Sequence, residues 1–185
     1  MPKLDQLLTS IEKAESSGHA KQNWQPAYVG EVDIHIKADG QWFHEGRPFK
    51  RLTLVKLFAS VLRREGDTHY LVTPGEKLAI QVDDAPFVAT TMELIGNNDH
   101  QALTFTTTLG DSIIADEQHP IRVETDPVTQ VPRPYIHFRN GLDALISRSA
   151  FFDLANTAQA VERNGDTHLI VHSMGAEFSL GICDE

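Results

Sequence analysis

The sequence contains a single cysteine, Cys183, in 185 residues. No disulfide can form within the chain, and no cysteine-based zinc cluster can be built. No apolar run is long enough to cross a bilayer as a helix. The opening stretch, MPKLDQLLTSIEKAESS, has neither an apolar signal core nor a small-residue cleavage site. These absences lead us to expect a cytoplasmic protein with no membrane attachment. Cations are outnumbered, with 16 Lys and Arg against 26 Asp and Glu, for a formal net charge of −10. Such a chain repels phosphate backbones at long range, so a nucleic-acid polymer is not expected as a partner. The motifs GxSxG, HExxH, GxGxxG and the Walker loop are all missing. Nine histidines are present, but no two sit at metal-ligand spacing on one helical segment. No catalytic residue, metal ligand or cofactor is therefore assigned.

What remains is ordinary globular material, 41% hydrophobic and 23% charged. The length suits one domain or two small ones sharing an interface. Leu4, Leu7, Leu8 and Ile11 fall at helical spacing and predict a short amphipathic helix ended by Ser16-Ser17-Gly18. Val32, Ile34 and Ile36 alternate with Asp33, His35 and Lys37, as a half-buried strand does. Asp39-Gly40 then signals a hairpin turn into Trp42-Phe43. A helix is predicted from about Leu52 to Arg64, followed by a hairpin, Thr68–Thr73 and Leu78–Val82, around Pro74-Gly75. The runs Val88–Ile95, Leu103–Leu109, Ser112–Ala115 and Ile121–Thr125 predict an antiparallel meander.

The opening pattern then returns. Ile136 and Phe138 alternate with Tyr135, His137 and Arg139, and Asn140-Gly141 signals another hairpin. A helix is predicted over about Ser149 to Arg163, then a strand Thr167–His172 pairing with Phe178, Leu180 and Ile182. The tetrapeptide Gly-Asp-Thr-His occurs at 66–69 and again at 165–168, and at the same offset Ala59 matches Ala158 and Arg64 matches Arg163. The expected fold is α+β, a duplicated hairpin–helix–hairpin unit. Its divisions are an N-terminal helix and linker over 1–22, a first domain over 23–84 and a second over 85–185.

One stretch departs from the acidic average. Arg47, Lys50, Arg51, Lys56, Arg63 and Arg64 lie in a window with no Asp or Glu. Forked arginine donors suit phosphate or carboxylate, and Trp42 and Phe43 nearby could stack on a flat ring. The adjacent carboxylates Asp83 and Asp84 precede Pro86, and as strand neighbours they would point to opposite faces.

These stretches also carry a family resemblance. Asp39-Gly-Gln-Trp-Phe-His-Glu-Gly-Arg-Pro-Phe-Lys-Arg51, Leu54-Val-Lys-Leu-Phe-Ala-Ser-Val-Leu-Arg-Arg-Glu65, Leu71-Val-Thr-Pro-Gly-Glu-Lys77 and Val82-Asp-Asp-Ala-Pro-Phe87 succeed one another. Pro134-Tyr-Ile-His-Phe-Arg139 and Gly141-Leu-Asp-Ala-Leu-Ile-Ser-Arg148 follow. In this order they resemble the bacterial domain-of-unknown-function family DUF1285, from about Trp24 to the end. Gly75 and Phe49 depart from the family pattern, in ways that read as structural. The resemblance implies two related domains, the C-terminal one superficially like a pleckstrin-homology fold. It also implies a nucleotide-like ligand between them and a role in signal transduction. Site residues are expected at Trp42 or Phe43 for stacking, at Arg51, Arg64, Arg139 and Arg148 for charge-assisted bonds, and at Thr73, Glu76 and Asp84 for polar selectivity. A protein-interaction adapter without a small ligand is the alternative, and a metal-dependent hydrolase a third reading.

Overall fold

The computed structural model describes residues 4–16, 24–97 and 101–183. The stop expected at Ser17-Gly18 therefore lies outside the described residues, but the helix before it is present as α1 (Leu4–Ser16). Leu7 and Ile11 on its apolar stripe are buried. The chain divides into two units, Met1–Pro86 with Asn140–Leu142, and Phe87–Arg139 with Asp143–Glu185.

The first unit contains β1 (Tyr28–Ile36), β2 (Trp42–His44), β3 (Arg47–Pro48), α2 (Leu52–Ser60), β4 (Leu62–Glu65), β5 (Thr68–Val72) and β6 (Glu76–Val82). They form one sheet in the order β3-β2-β1-β6-β5-β4. Asp39-Gly40 makes the first hairpin, with Gly40 at φ 81°, a conformation that glycine adopts without strain. The sheet is completed by a parallel pairing of β1 with β6. Ile34, Ile36, Phe58, Leu62, Leu71 and Leu78 are almost fully enclosed and make its core. Phe58 packs its ring 5.6 Å from that of Phe49.

The second unit contains β7 (Phe87–Ile95), β8 (Ala102–Thr107), β9 (Ser112–Ile114), β10 (Ile121–Thr125), β11 (Pro132–Arg139), β12 (Leu142–Ile146), α3 (Arg148–Ala155), β13 (Gln159–Arg163), β14 (Asp166–Ser173) and β15 (Ala176–Cys183). Six strands run β10-β11-β12-β7-β8-β9 and three run β13-β14-β15. Its core includes Phe87, Phe105, Ile136, Ala144, Leu154, Ile170 and Val171. The α+β class and the duplication are both present, and the second unit is consistent with a pleckstrin-homology-like fold.

Three expectations need correction. The helix predicted to Arg64 ends at Ser60, and Arg63 and Arg64 lie on β4, paired with Tyr70 and His69. The helix predicted to Arg163 ends at Ala155, and residues 159–163 form β13. Each repeat is thus hairpin, short helix, then a three-stranded meander. Gly-Asp-Thr-His marks a strand-to-strand turn in both copies. Glu65 pairs with Thr68 across Gly66-Asp67, whereas Arg163 pairs with Asp166 across Asn164-Gly165. Finally, the meander expected between the repeats keeps only β7, β8 and β9, because β10 leaves it to pair with β11.

Candidate ligand site

The expected site residues fall in both units, and the structure gives each its own surroundings. Trp42 is only 3% exposed and its indole Nε1 meets no hydrogen-bond acceptor. Its ring is part of the core and presents no open face to a base. Phe43 beside it is half-buried. Arg51 is exposed at the start of α2, where its carbonyl accepts from the Leu54 and Val55 N–H groups. Arg64 is turned onto its own loop, donating from Nε to the Gly66 carbonyl at 2.9 Å and facing Asp67 at 3.5 Å.

Thr73 and Glu76 are brought together, but by the backbone. The buried Thr73 hydroxyl accepts from Glu76 N–H at 3.2 Å and donates to its carbonyl at 3.3 Å, closing the β5–β6 turn. Burial raises the Glu76 carboxyl above its ordinary value. Asp84 is half-buried. Its neighbour Asp83 instead takes His35, at 2.5 Å, and Lys37, at 3.9 Å. The His35 bond leads the causes that hold the Asp83 carboxyl below its usual range.

In the second unit Arg139 lies over the Phe138 ring at 4.4 Å and 5.5 Å from that of Phe87, the two rings meeting edge-on at 5.0 Å. Burial lowers its basicity from the ordinary arginine value, and the charge of Asp111 offsets this only in part. Another charged group, His137, Asp143 and Arg122, is closed on itself. Asp143 meets His137 Nδ1 at 3.1 Å and Arg122 at 3.0 Å, and Arg122 also bonds Glu124 at 2.8 Å. Its charges are spent on one another.

Arg148 differs from these. It is exposed at the first turn of α3 and makes no ion pair among the described residues. It lines a cavity of about 610 Å³ inside the second unit. Leu145, Ile146, Phe151, Val131 and two prolines give the cavity apolar walls, while Arg133, Ser147, Thr129 and Asp126 add polar groups. The polar groups are held in place by local bonds. Asp126 accepts from the Thr129 and Val128 N–H groups at 2.8 and 3.0 Å, which lowers its carboxyl below the usual range. Its other oxygen lies 3.5 Å from Arg133, whose Nε donates to the Tyr135 hydroxyl at 3.2 Å. Ser147 accepts from Ala150 N–H at 3.3 Å and so caps α3.

Such a cavity can wrap an apolar or flat body and present guanidinium and hydroxyl donors to an anionic end. Arg133, Ser147 and Phe151 were not singled out by sequence reasoning. The Asp126–Pro134 segment reads as a plain loop, and only the tertiary fold brings it beside Leu145–Phe151. The one local signal was Ser147 three residues before Ala150 at a helix start. Among the described residues no three His, Cys, Asp or Glu side chains gather as metal ligands. No helix of the described residues is long and apolar enough to cross a membrane.

Comparison with known proteins gives the lineage. A search among curated proteins finds no match. The crystal structure of a DUF1285 family protein from Silicibacter pomeroyi DSS-3 is 45% identical, covering 95% of this chain and 94% of its own, with a TM-score of 0.84. A DUF1285 family protein from Shewanella baltica OS155 is 26% identical over 66% of this chain and 90% of its own, with a TM-score of 0.53. The model of the DUF1285 N-terminal domain, a domain of unknown function, matches residues 21–85. That of the DUF1285 C-terminal domain, likewise of unknown function, matches residues 86–180. With the two models together spanning most of its length, the chain belongs to the DUF1285 family.

Proposed function

We propose that the protein is a non-enzymatic binding protein whose second unit receives a small anionic, nucleotide-like molecule, and that it serves signalling as a sensor of that molecule. The observation that carries this reading is Arg148, a cation with no internal partner among the described residues, at a cavity that also holds Arg133. The volume, about 610 Å³, lies within the range of small-molecule sites. Phe151 offers a ring against which a base can stack, and Ser147 offers a hydroxyl. Arg133, which faces Asp126 at 3.5 Å and bonds the Tyr135 hydroxyl, adds a second guanidinium to the lining.

Isothermal calorimetry against nucleoside mono-, di- and triphosphates and inorganic pyrophosphate tests the proposal. One class is expected to bind, and Arg148→Glu to weaken it by about tenfold to a hundredfold, the scale of a lost charge-assisted hydrogen bond. Absence of heat and of any thermal shift with the whole panel would overturn it. So would binding that survives Arg148→Glu unchanged.

A further inference from the structure

A second cationic feature lies on the first unit. Arg47, Lys50, Arg51 and Lys56 are all exposed, and none makes an ion pair among the described residues. Several other exposed or half-exposed cations of this unit are paired. Lys37 faces Asp83, Arg64 faces Asp67, and Lys77 bonds Glu65. Among the described residues of this unit, unpaired cations are thus concentrated in ten residues, in a chain whose net charge is −10. No Asp or Glu occurs between Arg47 and Arg64 to neutralise them.

An apolar side chain sits among these charges. Leu52, the first residue of α2, is 53% exposed and lies one turn before Lys56 on the same face. Leu52 thus places an apolar contact point among the cations.

We infer that this surface of β3 and α2 docks an acidic segment of a partner protein, carboxylates meeting Arg47, Lys50, Arg51 and Lys56 while an apolar residue covers Leu52. Charge complementarity selects this occupant over other polyanions. At physiological salt, charges interact over about 8 Å. A short acidic peptide can touch the cations and little else. A duplex or an anionic bilayer extends its charge well beyond such a patch and meets the acidic remainder of the molecule.

The test is fluorescence anisotropy with a labelled synthetic peptide of alternating glutamate and serine around one leucine. Binding is expected at low ionic strength and should fall steeply with added salt. The fourfold change Arg47→Glu, Lys50→Glu, Arg51→Glu, Lys56→Glu is expected to weaken it by at least about tenfold, four exposed ion pairs being lost. Should that variant not fold by circular dichroism, the neutral pair Arg51→Gln, Lys56→Gln should still weaken binding measurably. Replacing Leu52 by serine should weaken it further. No binding at low salt, or equal binding to the fourfold variant or the neutral pair, would overturn the proposal. Tighter binding to phosphatidylglycerol vesicles or to duplex DNA than to the peptide would do the same.

Discussion

The two copies of the repeat use one local plan and close it differently. In the first, hairpin β1–β2, helix α2 and meander β4–β5–β6 make one sheet, sealed where β6 lies parallel to β1. In the second, hairpin β11–β12 and helix α3 are followed by a meander that remains a separate sheet. There β10 takes the edge of β11, and β12 lies parallel to β7. The difference teaches that a hairpin–helix–meander sequence fixes its strands but not their outer neighbours. A free strand edge accepts whichever strand the chain delivers to it. In the second copy the extra strands β7–β10 take those edges.

The residue that ends the middle strand of each meander shows the same divergence in side-chain use. Thr73 follows β5, and its hydroxyl serves its own turn. Ser173 ends β14, and its hydroxyl accepts from Leu103 N–H at 2.9 Å and donates to the Ala115 carbonyl at 2.6 Å. Gln101 adds bonds to the His172 carbonyl and from Met174 N–H. The second meander is therefore stitched to β8 and the end of β9 by polar bonds where the first is joined by a backbone ladder.

Core truncation sharpens the comparison most. Phe58→Ala in α2 should cost about 3–5 kcal/mol and Leu154→Ala in α3 about 2–5 kcal/mol, since both side chains are fully enclosed and leave cavities. Urea unfolding measures each, and a loss below about 1 kcal/mol at either site would show a helix that is not part of its core.

Next in size, Ser173→Ala leaves a buried N–H and a carbonyl without partners and should cost about 1–3 kcal/mol, more than Thr73→Ala. Equal losses in thermal unfolding would break the contrast between stitched and laddered meanders.

The smallest effect is electrostatic. Asp83 is held below its ordinary value by His35, so its contribution to stability is present above the unfolded value of about 3.9 and is lost as pH falls through the lower folded value. Asp83→Asn should flatten the acid limb of stability measured below about pH 4 and lower neutral stability by the same small amount. An unaltered limb would remove the His35–Asp83 bond from the account.

The hairpins were legible because Asp39-Gly40 and Asn140-Gly141 are turn-forming dipeptides; Asn140 and Gly141 are both left-handed, at φ 52° and 74°, whereas of the first pair only Gly40 is. The helices were read too long for a specific reason. Val61 and Leu62 continue the apolar spacing of α2, and Val161 that of α3, so periodicity alone carries the helix onward. Pairing with β5 and β14 overrides it, and the Gln-Ala-Val-Glu-Arg run at 159–163 is compatible with either state. Of the site, Arg148 was legible as a cation in a motif. Arg133 and Phe151 were not, because their neighbourhood depends on strands distant in sequence coming to adjoin.

The outermost strand β3 has one more consequence. It is two residues long and one of them, Pro48, has no amide hydrogen to offer, while Arg47 brings a charge. At the opposite margin β4 carries Arg63, Arg64 and Glu65. Both rims are thereby guarded against intermolecular strand stacking and the amyloid-like growth that bare rims invite, so crowding of many molecules should not convert this sheet into a seed for fibres.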